Sequence, residues 1–172
     1  ETAKEAQKLA PDDAGIQLRL AQIAFSTKDR ETAAKGAERA IELSTAALRG
    51  DPLKKETYQL LAFCYQLQAN LAQEELGANP DASINYLKIA QALRQWAEMN
   101  RRISLLGARE AVKQALGKEP DKPDYLLFAA GLEADLGAYD EAGEKVERVL
   151  RSNPDHREAL ELRDRLKAAS SR

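Results

Sequence analysis

The chain has 172 residues, room for one substantial domain or a short run of repeats, and sets 26 Lys and Arg against 28 Asp and Glu for a net charge of −2. That near-balance excludes the large positive excess of a general nucleic-acid binder. Ala and Leu supply 31 and 24 residues while Val, Ile and Thr together supply 14, a composition that favours helices and argues against a sheet.

Six prolines and nine glycines divide the chain into helical blocks. Ala14–Thr27 is predicted as a helix with Ile16, Leu20, Ile23 and Ala24 on one face, and Asp12 and Asp13 precede it as capping carboxylates. The polar step Lys28-Asp29-Arg30 leads to a second helix over Glu31–Leu48. There Ala33, Ala37, Ala40 and Ile41 form a face that a neighbour can approach closely, and Gly50-Asp51-Pro52 ends the run. A third helix spans Lys54–Leu76, with the face Tyr58, Leu61, Ala62, Tyr65, Ala69 and Ala72, and Gly77 to Asp81 breaks it. From Asp81 to Leu116 there is no Pro and a single Gly, Gly107, while Ile89, Leu93, Trp96, Ile103 and Leu106 keep an approximate helical period. One continuous or bent helix is favoured over two helices broken near Asn100–Ser104, because turn chemistry is absent. Tyr125–Leu136 and Tyr139–Arg151 then read as a hairpin joined by Gly137-Ala138. Beyond Asn153-Pro154-Asp155 a last helix runs from His156 to about Ala168, with a polar outer face suited to the end of a stacked array.

A period underlies these blocks. Pro120 and Pro154 are 34 residues apart, and Ala108, Val112 and Ala115 have the spacing of Ala142, Val146 and Val149. Ala33, Ala37 and Ala40 repeat those small and apolar positions, and Ala6 and Pro11 repeat the last two members of the pattern. Tyr58, Leu61, Ala62 and Tyr65 are matched more weakly by Gln17, Leu20, Ala21 and Ala24 and by Leu126, Ala129, Ala130 and Glu133. With the Gly137-Ala138-Tyr139-Asp140-Glu141-Ala142 run, the chain resembles the tetratricopeptide repeat (TPR) family.

That resemblance implies an all-α fold: a right-handed superhelical array of antiparallel helix pairs, a TPR-like α-solenoid with a C-terminal capping helix. The expected division is 1–10 as the second half of an upstream repeat, 11–52 as a first hairpin and 53–120 as a lengthened central hairpin. Residues 121–155 form the last hairpin and 156–172 the cap. The natural chain is expected to extend upstream, since a half-repeat cannot bury its own apolar face. The second helix carries seven residues beyond the family pattern before Pro52, and no standard repeat fits between Tyr65 and Ala108.

Catalytic chemistry finds no foothold. The single Cys, Cys64, lies among Leu61, Phe63 and Tyr65 and reads as a buried thiol. His156, the single His, reads as a surface residue near a cap. Asp12-Asp13 and Asp140-Glu141 stand at helix starts, where dipole and capping roles explain them. No Gly-rich phosphate loop and no zinc pattern is present, so neither an enzyme nor a cofactor or metal is expected. No stretch approaches the roughly 20 apolar residues of a membrane span, and no compartment is assigned.

The family's known role as an interaction scaffold implies a groove lined by the first helix of each pair: Leu18, Gln22 and Phe25, then Gln59, Phe63 and Gln66, then Leu127, Gly131 and Asp135. The family's carboxylate clamps use Lys and Asn at places held here by Leu18, Gln22, Gln59 and Phe63, which argues against a receptor for chain termini. Seven basic residues between Lys88 and Lys118 against Glu98 and Glu110 give a local excess of five charges. A solvated helix face explains them. The sharper alternative is a basic docking face for an acidic partner segment, with Arg94, Trp96, Arg101, Arg102 and Arg109. The expected function is a protein–protein interaction scaffold or assembly adaptor that takes another protein or peptide segment. The alternative is a structural spacer or self-assembly module of a larger multi-domain or envelope complex, without a peptide ligand.

Overall fold

The computed structural model describes residue 8, residues 10–80 and residues 83–170. Among them it contains helices and no strand: α1 (Ala14–Ser26), α2 (Arg30–Gly50), α3 (Lys55–Ala78), α4 (Ser83–Lys118), α5 (Pro123–Leu136), α6 (Tyr139–Ser152) and α7 (Arg157–Ser170). The all-α expectation and the succession of paired helices therefore hold. The 36 residues of α4 form one uninterrupted helix, as the missing turn chemistry predicts. The chain divides into two compact units, and the boundary between Ile103 and Ser104 falls inside α4, within the hairpin expected over 53–120. The half-repeat read in residues 1–10 lies almost wholly outside the described residues.

In the first unit α1 packs on α2 and on α3, and α2 packs on α3. Asp13 caps α1 by accepting from the Ile16 N–H at 2.9 Å, and Asp29 caps α2 by accepting from the Thr32 N–H at 3.1 Å. Between them Lys28 takes a left-handed φ of 65°, which lets the Asp29 N–H donate to the Ala24 carbonyl at 2.9 Å and closes the hairpin in three residues. The helices cross on small side chains: Ala21, Ala33, Ala37 and Ala40 are fully buried. A Cβ built on Gly36 would stand 2.9 Å from the Ala21 Cβ, so glycine is what this crossing admits. Leu18, Cys64, Leu67 and Leu71 complete the core.

A recurring tie marks the repeat. The Gln17 side-chain amide donates to the Pro11 carbonyl and the Tyr58 hydroxyl to the Pro52 carbonyl, each at 2.8 Å and each six residues back. The starts of α1 and α3 are thus fastened to the loops before them. The spacing of the two ties absorbs the seven residues that α2 carries beyond the family pattern.

In the second unit α5 packs on α6 and α7, and α6 on α7. Pro123 stands in the first turn of α5, where its missing N–H costs nothing, and Gly137 ends the helix at φ 85°. Ala130, Ala142, Val146, Val149 and Ala159 are buried among Leu126, Leu127, Leu162 and Leu166. Val112 of α4 joins Ala129 and Leu132 of α5, with Leu105, Ala108, Leu116 and Tyr125 against them. The positions that carry the family resemblance are thus largely core positions. The His156 Nδ1 faces the Ala159 N–H at 3.4 Å, a weak cap for α7.

Candidate functional site

On α3 every third or fourth residue after Gln59 turns outward: Phe63, Gln66, Asn70 and Gln73 are exposed with it, while Leu61, Ala62, Cys64 and Leu67 point into the core. Phe63 is 53% exposed between two buried neighbours in sequence. On α1 the outward residues are Arg19, Gln22, Ile23 and Ser26. This face combines an exposed aromatic ring with a row of primary amides on two helices that pack together.

Three residues expected in the groove are placed differently. Leu18, at 5% exposure, and Leu127, at 4%, belong to the two cores, because each shares its helix face with the small crossing residues, Ala21 in α1 and Ala130 in α5. Phe25 is half-buried against the first core, and the Lys28 ammonium sits 5.9 Å from its ring centre. Gln22, Gln59, Phe63, Gln66 and Asp135 are exposed, and Gly131 is half-buried. On α5 the outward large side chain is Phe128, 60% exposed, one residue beyond the buried Leu127 and in line with Asp124 and Asp135. The spacing of Asp124, Phe128, Gly131 and Asp135 is a helical face and was available in the sequence as a signal.

The basic stripe of α4 is in large part neutralised. Arg101 and Arg102 both reach Glu98, each through Nε at 3.1 Å, and hold its carboxyl below the usual range, the hydrogen bond from Arg101 contributing most. Lys88 pairs with Glu75 of α3 at 2.8 Å. Arg109 turns inward, its Nε 3.5 Å from the Glu133 carboxylate, which is buried and meets Lys145 at 2.8 Å. Arg109 is therefore a structural cation of the second unit rather than part of a docking face: a buried carboxylate needs paired charge. Arg94 and Trp96 remain exposed on the half of α4 in the first unit.

In the first unit a cleft of about 320 Å³ opens between α2, α3 and α4, with Ala34, Leu71, Ala72 and Ala92 as its apolar surface, Tyr65 and the amides of Gln68, Gln91 and Gln95 as neutral polar groups, and Glu38, Glu75 and Lys88 as charged ones. Cys64 is fully buried, and burial pushes its thiol up to about 12, which removes the thiolate that a nucleophile needs. Among the described residues no group of His, Cys, Asp and Glu could hold a metal ion, and no helix is long and apolar enough to cross a membrane.

Together, capped helix pairs, small-residue crossings and a 34-residue spacing define an all-α helical-repeat protein. No family model matches the chain, and no curated protein matches it. Among solved structures it is similar to a thermophilic TPR protein from Thermus thermophilus, with 19% identity over 99% of this chain and 88% of that one and a TM-score of 0.31.

Proposed function

We propose that this protein is an interaction scaffold whose first unit holds a segment of a partner protein on the outward faces of α1 and α3. The observation that carries this reading is Phe63: a large aromatic ring kept half in water on a helix whose adjacent side chains, Ala62 and Cys64, are locked in the core. Burying that ring in a complex recovers apolar area at low conformational cost, since its helix is already ordered. Gln59 and Gln66 flank it one turn away on α3, and Gln22 is exposed on α1; such amides donate to and accept from a partner's backbone without imposing a charge preference. A mixed aromatic and amide face suits an extended or helical segment recognised through alternating side chains.

Phe63→Asp tests this. The exposed position should tolerate the change, with helical content intact and stability within about 0.5 kcal/mol of the parent. A pull-down from the source cell's lysate, read by mass spectrometry, should then lose the protein that the parent chain retains. Capture that ignores the substitution, or no capture at all, would instead favour the spacer role. A large loss of stability would assign Phe63 to the core.

A further inference from the structure

The half of α4 in the first unit carries an apolar face that none of the described residues covers. Five of the nine large hydrophobic side chains exposed among the described residues lie between Ile84 and Trp96: Ile84, Tyr86, Leu87, Leu93 and Trp96. Tyr86, Ala90, Leu93 and Ala97 follow one another at helical spacing, with Leu87 and Arg94 on the adjoining line, and all six are exposed. The inner side of the same stretch is occupied by Asn85, Ile89 and Ala92, which are buried or half-buried. An amphipathic helix with one covered apolar side needs no second one, and clustered apolar exposure of this kind marks an interaction surface.

The charges on that face select the occupant. From Ser83 to Ala97 the sequence holds two cations, Lys88 and Arg94, and no acidic residue. Lys88 is paired with Glu75, whereas Arg94 makes no ion pair among the described residues. Glu75 is engaged by Lys88, and Glu98, one turn beyond Arg94, by Arg101 and Arg102, so a second copy laid against the face would set Arg94 against another cation and bring it no carboxylate that is not already paired. An occupant that covers the apolar line and satisfies Arg94 must bring its own acids. We infer that this face of α4 docks an acidic amphipathic helix of a partner protein, its apolar residues seated on Tyr86, Ala90, Leu93 and Ala97 and a carboxylate on Arg94. This surface is separate from the Phe63 face.

The chain supplies its own reporter, because Trp96 is its single tryptophan and stands 39% exposed at the border of the face. The probes are two short helical peptides with one Leu/Ala pattern, one flanked by Glu and the other by Lys. The Glu peptide should shift Trp96 emission to shorter wavelength saturably, and bind about tenfold more tightly than its Lys twin at low salt, a margin that narrows as salt is added. Arg94→Glu should reverse the preference, Arg94→Gln should abolish it, and Leu93→Ser should weaken both peptides about tenfold. Phe63→Asp should leave the titration unchanged, which separates a failure here from a failure of the scaffold reading. Equal binding of the two peptides, or no binding of either, overturns the inference. So does a dimer seen by sedimentation equilibrium that Leu93→Ser dissolves, since the face would then belong to a second copy.

Discussion

Both halves of α4 carry apolar residues at helical spacing, and their surroundings differ. Over Ser104–Lys118 the apolar positions Leu105, Ala108, Val112 and Leu116 meet α5 and close a core. Over Ser83–Ile103 the inner side is covered, but Tyr86, Leu87 and Leu93 face water. One helix thus serves as core in one unit and as both core and surface in the other. An apolar residue on a helix face reports only that the face can be covered, and the neighbouring element decides whether it is.

The strongest way to break that comparison is to put the same charge in both halves. Val112→Asp should cost about 3–4 kcal/mol, because it buries a carboxylate with no cation arranged for it. Leu93→Asp should change stability by no more than about 0.5 kcal/mol. Chemical denaturation of the two variants side by side measures the gap, and equal losses would mean that the face around Leu93 is covered in the folded protein.

Glycines sharpen the contrast between the units. Gly36→Ala raises helix propensity but drives a methyl against Ala21 at the α1–α2 crossing, so a net loss of about 1–2 kcal/mol is expected. Gly143→Ala meets no atom within 4 Å and should stabilise α6 by about 0.5–1 kcal/mol. Thermal melts with opposite signs would confirm that the first unit depends on close backbone approach. A gain at both positions would show that the crossing can spread.

The smallest effect concerns Glu74, which receives Lys28 at 2.8 Å and Arg30 at 3.1 Å across the surface of the first unit. These hydrogen bonds, that from Lys28 foremost, hold its carboxyl below the ordinary value of 4.5. A depressed carboxylate contributes stability above its ordinary range and loses it as pH falls through its folded value. Glu74→Gln should therefore melt slightly lower than the parent at neutral pH, and the two should converge in acid. A gap that persists in acid would assign the effect to packing instead.

The sequence legibly carried the helices and most of the turns, because Asp13 and Gly137 act within a few residues of themselves; the Asp29 cap and the start of α5 at Pro123 emerged with the structure. It also carried the small-residue crossings, since Ala33, Ala37 and Ala40 share a face at a spacing that composition alone does not produce, and the unbroken course of α4, where turn residues are absent. The site was legible only in part. Gln22, Gln59, Phe63 and Gln66 lie exposed on outward faces, whereas Leu18 and Leu127 lie in the cores. Periodicity assigns residues to a common face but gives no direction to it, and shifting the choice by one residue on α5 exchanges the buried Leu127 for the exposed Phe128. Nothing local marks Arg109 as an inward-facing cation, because its partner, Glu133, lies on another helix. Local chemistry thus determined where this chain forms helices and where it stops them. Only packing between helices decided which faces meet water, because burial depends on the length and position of neighbours that no single segment encodes.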